Sequence, residues 1–159
     1  MIHIDYSLIH ALGYIAPDEV SSIVEGDIAT ELFQCYLVFD ANGIDLSWRV
    51  SIPMVDFARS MFISVRSLSD TDPEALFGSV EYSTRWRFRL SQALVLINRD
   101  DLPVVAACGR SELQKATAEF GVRVYDALLS ALPAARENAF LSLWYPYDEM
   151  KRCMRRAVD

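Results

Sequence analysis

Histidine is nearly absent: His3 and His10 are the only two among 159 residues. The pattern His3-x-Asp5-x4-His10 offers three metal ligands on paper but matches no regular zinc spacing. A change from strand to helix between the two histidines would point them apart, so no metal is expected and surface or partly buried histidines are the simpler reading. The six glycines are all isolated, with no G-x-G-x-x-G and no G-K-[ST]. Phosphate-cradling loops need clustered glycine, so nucleotide cofactors are not expected. Cys35, Cys108 and Cys153 are odd in number and contain no C-x-x-C pair, which favours reduced thiols over a disulfide framework. There is no G-x-S-x-G elbow and no motif that places a histidine beside a cysteine. Cys108, just before Gly109 at a strand-to-helix junction, is the one place where a thiolate would feel a helix N-terminus. No apolar run reaches the ~18 residues of a membrane span, and MIHIDYSLIH lacks the basic start and apolar block of a signal peptide. A cytoplasmic protein without cofactor or membrane partner is the expectation, and an enzyme is the third choice among function classes.

Basic residues are missing from the first half. Residues 1–83 carry 13 acidic side chains and only Arg49, Arg59 and Arg66, whereas residues 84–159 carry nine acidic and 12 basic ones. The formal net charge is −7. Such an acidic half repels nucleic acid and attracts basic proteins at long range.

What is present is clear alternation. In FQCYLVFDANGIDLSWRVSI, Asn42-Gly43 is the pair preferred in a two-residue type I′ turn, since both positions need positive φ. That turn predicts Phe39 opposite Leu46, Leu37 opposite Trp48, Cys35 opposite Val50 and Phe33 opposite Ile52. Ile44, Leu46, Trp48, Val50 and Ile52 would face inward, and a one-residue slip would bury Asp45 and Arg49. Pro53 then suits the first turn of a helix, with Met54, Phe57, Ala58, Met61, Val65 and Leu68 as its apolar stripe. SDTDPEALFG reads as an acidic surface loop. Trp86, Phe88 and Leu90 alternate with Arg85, Arg87 and Arg89, which describes a strand with one buried face. An RNA-binding sheet would put aromatics and arginines on the same surface, so this interleaving is the wrong kind. Pairing of the arginines with Glu81 or Asp45 on a neighbouring strand is the expected use.

ALVLIN and VVAAC read as further strands separated by the turn RDDLP. From Gly109 the period becomes helical. Ser111 and Gln114 form a capping-box pattern, and Leu113, Ala116, Phe120, Val124, Ala127, Leu128 and Ala131 make one stripe. A further helix is expected from Ala134 through Trp144, and a short basic one over YDEMKRCMRRA. Ile2, Ile4 and Tyr6 could form a strand, and a long strand is expected to begin near Gly26 or Asp27. Strands joined by hairpins rather than interleaved with helices predict a single α+β domain, a mostly antiparallel sheet with helices on one face.

Acidic side chains cluster at Asp18-Glu19, at Asp70, Asp72 and Glu74, and at Asp100-Asp101. D-T-D-P-E starts as a calcium loop does, but the proline and the missing glycine and distal glutamate exclude an EF-hand. Trp144, Tyr145 and Tyr147 around Pro146 suit either core packing or an interface between copies, the latter giving a homo-oligomeric structural or regulatory protein. Lys151, Arg152, Arg155 and Arg156 form a basic helical end that the helix dipole favours.

From about Gly26 to Leu132 the chain resembles the α+β immunity proteins of bacterial polymorphic toxin systems, including contact-dependent growth inhibition. The shared elements are a hairpin ending in D-x-N-G (Asp40, Asn42, Gly43), an amphipathic helix directly after it, and more strands leading into a long helix. The resemblance is one of architecture and charge. It implies a cytoplasmic, non-catalytic inhibitor that covers the active site of a basic toxin domain such as a nuclease. Asp70, Asp72 and Glu74 are its expected contact residues, with Glu81, Asp18 and Glu19 as additions.

Overall fold

A computed structural model describes residues 1–8, 33–78 and 84–156. Among these, the strands are β1 (Ile2–Leu8), β2 (Gln34–Ala41), β3 (Ile44–Asp45), β4 (Trp48–Pro53), β5 (Glu74–Gly78), β6 (Arg85–Ser91), β7 (Leu94–Arg99) and β8 (Val105–Gly109). Helix α1 (Met54–Ser67) follows β4, and α2 (Arg110–Ala131) follows β8. A 3-10 turn (Pro133–Glu137), α3 (Ala139–Trp144) and α4 (Tyr147–Arg156) close the described chain. The fold is α+β and its strand pairings are antiparallel. The strands form two sheets of four: β2 lies between β1 and the β3/β4 arm in the first, and the second has the order β5-β6-β7-β8.

The hairpin forms where the turn chemistry puts it. Asn42 (φ 55°) and Gly43 (φ 82°) both adopt the left-handed conformation that a type I′ turn needs. The Asp40 carboxylate accepts the Gly43 N–H at 3.0 Å. Leu37 faces Trp48 as expected, but Cys35 faces Ile52 rather than Val50. An irregularity between Leu37 and Cys35 loops two extra residues into the second strand. Because side chains alternate with period two, this shift leaves every side chain on its expected face: Leu46, Trp48 and Ile52 are buried and Asp45 and Arg49 exposed. Phe33 is corrected too. It lies outside the strand at φ 59°, buried, and its carbonyl accepts the Met54 N–H at 3.0 Å at the start of α1.

The second arm breaks at Leu46-Ser47 because Ser47 substitutes a side chain for the ladder. Its hydroxyl accepts the Phe39 N–H at 2.9 Å, and its own N–H donates to the Asp45 carboxylate at 2.8 Å. β1 confirms the strand expected from Ile2, Ile4 and Tyr6, with Ile4 opposite Phe39 and Tyr6 opposite Leu37. The expected strand start near Gly26 or Asp27 lies outside the described residues; β2 begins at Gln34.

Three further readings change. Glu74–Gly78 is a strand and not loop, because Phe77 turns inward to stack on Phe88 at 5.2 Å and on Trp86 at 5.4 Å. The capping box is not formed: α2 begins two residues earlier, capped by Gly109 without a side-chain bond, because β8 runs directly into it and the Arg110 N–H reaches the Ala93 carbonyl. The helix expected over Ala134–Trp144 is split at Asn138, whose side chain accepts the Leu141 N–H at 2.6 Å and starts α3 afresh. The expected stripe of α2 holds at Leu113, Phe120, Val124 and Leu128, whereas Ala131 is exposed.

One contiguous cluster of buried residues joins both sheets to α1 and α2. Helix α1 touches β2, β4 and β5, and α2 touches β1, β7 and β8. Trp86 sits where the sheets meet, fully buried, with Trp48 and Phe57 each 5.2 Å away edge-on. Arg99 supplies the polar tie. Only 7% exposed, it pairs with Asp101 at 2.5 Å, donates to the Leu46 carbonyl at 3.2 Å and also reaches the Ser47 carbonyl, so β7 fastens the break between β3 and β4.

Candidate interaction surfaces

The acidic loop is held by its own hydroxyls. The Ser69 N–H donates to the Asp72 carbonyl at 2.9 Å, the Asp72 N–H returns to the Ser69 hydroxyl at 3.0 Å, and Thr71 lies 3.1 Å from that same hydroxyl. Its ends are fixed by the buried Leu68 and by the Leu90 N–H, which donates to the Pro73 carbonyl at 2.7 Å. Such serine-centred turns set the backbone and leave neighbouring side chains to solvent. Asp70, Asp72 and Glu74 are all exposed, and among the described residues none of them is in an ion pair. The structure thus brings these three together at one edge of the second sheet. Glu81, Asp18 and Glu19 lie outside the described residues.

Beside that loop runs a basic ridge. Arg85, Arg87 and Arg89 are exposed on β6 while Trp86 and Phe88 point inward, as the alternation requires. The expected pairing with Asp45 is not formed. Asp45 belongs to the other sheet, where hydrogen bonds from Ser47, aided by Arg49 and Arg99, hold its carboxyl below the usual carboxylate range. Glu81, the other expected partner, is not among the described residues. Glu74 stands opposite Arg89 in the β5–β6 register, but no carboxylate of the described residues comes within 4.0 Å of the three guanidinium groups. The ridge is flanked by apolar side chains that the sequence reading had not assigned to the surface: Leu76 (51% exposed), Leu94 (48%) and Val105 (57%).

The remaining candidates are occupied by the fold. Cys108 does not meet a helix N-terminus as a thiolate: it faces inward from β8, and burial, then Glu112, push its thiol up to about 12. Burial likewise pushes Cys35 up to about 12. His3 is exposed, His10 falls outside the described residues, and among the described residues no three ligating side chains converge on a cation site. Asp100-Asp101 forms the expected turn, with Asp101 held below the usual carboxylate range by Arg99. In the LWYPY segment Leu143 is 88% exposed, whereas Tyr145 is buried with its hydroxyl on the Gly121 carbonyl at 2.9 Å, Arg59 covers Trp144 at 4.2 Å, and Tyr147 donates to Asp126. In the basic tail, Lys151 lies over the Tyr147 ring at 4.2 Å and Arg152 donates to the Asp148 carbonyl at 3.3 Å. A cleft of about 320 Å³ between α1, α2 and α4 contains Arg66 and Lys115, each already beside a carboxylate, Glu149 and Glu119 respectively.

No helix of the described residues is long and apolar enough to cross a membrane. Compared with known proteins, the chain matches no family model, no curated protein and no solved structure.

Proposed function

We propose that this chain is a non-catalytic protein-binding module: a cytoplasmic immunity protein that binds and neutralises a cognate bacterial toxin domain through an acidic surface. The carrying observation is the set Asp70, Asp72 and Glu74, three exposed carboxylates in the turn whose backbone Ser69 holds and at the first residue of β5. A preordered acidic loop loses little entropy on docking, and its field attracts a basic partner before contact. A nuclease is basic where it holds nucleic acid, so a carboxylate loop of this kind imitates the charge of its substrate. The resemblance to immunity proteins of polymorphic toxin and contact-dependent growth inhibition systems supports the same reading. The buried, neutral thiols of Cys35 and Cys108 fit a molecule whose surface binds rather than reacts.

The test is co-expression with the product of the gene immediately upstream, where a toxin would be encoded, followed by measurement of growth and of association kinetics. Neutralised toxicity is expected, with an association rate that falls as salt rises. The triple variant D70K/D72K/E74K is expected to associate at least about tenfold more slowly while keeping its fold. Unchanged kinetics in that variant would remove the loop from the interface, and absence of any protection would overturn the antidote reading.

A further inference from the structure

The outer face of the second sheet differs from the acidic loop in its chemistry. Alternate residues of a strand stand about 6.6–6.8 Å apart on one face. Arg85, Arg87 and Arg89 therefore form a row on one face, all exposed. Across the ladder, Leu76 stands beside Arg87 on β5, and Leu96 beside Arg89 and Asn98 beside Arg87 on β7. Leu94 and Val105 extend the same face toward the β8 edge, both about half exposed. Among the described residues the row has no ion-pair partner, although Asp101 engages the buried Arg99 of the neighbouring strand.

Three arginines with no ion-pair partner among the described residues, in a chain of net charge −7, are not explained by solubility, which the acidic residues already supply. Arginine beside exposed aliphatic residues is the composition of a protein interface, since the planar fork binds carboxylates in a bidentate way and the aliphatics exclude water around it. Nucleic acid fits less well. The aromatic residues on which bases would stack, Trp86 and Phe88, are fully buried on the opposite face.

We propose that this face docks an acidic polypeptide segment in extended conformation, its carboxylates at alternate positions in step with Arg85, Arg87 and Arg89, and the methylene stems of those acidic side chains beside Leu76. An extended chain has the same two-residue repeat as the strand beneath it, so the carboxylates and guanidinium groups stay in step along the whole row.

The probe is a fluorescent peptide with glutamate at alternate positions and valine between, compared with a peptide of the same composition whose glutamates are contiguous. Binding is read by anisotropy at low salt, with oligothymidylate as the competing probe and sedimentation to follow self-association. The alternating peptide is expected to bind at least several-fold more tightly than the contiguous one. R85A/R87A/R89A is expected to weaken it about tenfold or more, from three lost charge pairs. R85K/R87K/R89K keeps the charge and the fold while losing the fork, and is expected to fall between the two. Equal binding of both peptides, tighter binding of oligothymidylate, no effect of the alanine variant, or self-association that the variant abolishes would each overturn the proposal. The test of the acidic loop uses a different partner and different residues, and because Glu74 stands opposite Arg89, each triple variant is measured against both probes so that the two surfaces are told apart.

Discussion

The two four-stranded sheets obey one rule on their inner faces and differ on their outer ones. Inward, both present large apolar groups, Leu37, Phe39 and Trp48 from the first and Phe77, Trp86 and Phe88 from the second. Outward, the first shows His3, Asp5, Tyr36, Asp45 and a single arginine, Arg49, while the second shows Arg85, Arg87 and Arg89 among Leu76, Leu94 and Val105. A strand's inner positions are tied to the core by burial, whereas its outer positions can vary at little cost in stability. Among the described residues, the outer faces of the two sheets thereby carry different charge on one scaffold. At the 69–74 loop, carboxylates stand at the edge of the arginine ridge.

If the inner faces hold the fold, the largest effect should come from the residue they share. Trp86→Ala is expected to cost about 3–5 kcal/mol, by loss of buried area and the cavity left between Trp48, Phe57 and Phe77. Chemical denaturation measures it, and a cost near that of a surface substitution would mean that the sheets do not pack around this ring.

Next comes the polar tie. Arg99→Met keeps much of the buried stem but strands the Leu46 and Ser47 carbonyls, an expected loss of about 2–3 kcal/mol. The same variant sharpens the pH behaviour. Arg99 holds the folded Asp101 carboxyl below its unfolded value, so the contribution of Asp101 is fully present above the unfolded pKa. It fades as pH falls through the folded one. Arg99→Met should flatten this acid-side slope; an unchanged slope would place the titration elsewhere.

The smallest of the three lies in the hairpin turn. A methyl group at Gly43 meets nothing within 4 Å, so Gly43→Ala should cost only the backbone strain of φ 82°, about 1 kcal/mol. A much larger loss would show that the turn also sets the register of the sheet.

Much of this was readable from residue order. Asn42-Gly43, the alternation around Trp48 and Trp86, and the stripe from Met54 to Leu68 each express a local period that burial then enforces. The exposure of Asp70, Asp72 and Glu74 was legible for the same reason, since proline and acids favour a surface turn. Features set by distant partners were not. The extra residues between Trp48 and Ile52 keep parity and leave no trace in the pattern. β5 declares itself only through Phe77 stacking on a strand that follows it. Asn138 splits the C-terminal helix by a cap whose sequence signal is weak beside alanine and leucine. Leu94 and Val105 were hidden in apolar runs, because a continuous run does not say which of its faces the fold leaves uncovered.

Buried apolar faces and Arg99 hold this fold and leave the acidic loop and the arginine ridge exposed. The most direct test is the unfolding free energy of two charge reversals, D70K/D72K/E74K and R85E/R87E/R89E, measured by denaturant at moderate salt. Each is expected to stay within about 0.5 kcal/mol per substituted residue of the parent, with native spectra and cooperative transitions. A loss of several kcal/mol in either variant would show that those charges are structural, and would contradict their assignment as binding surfaces.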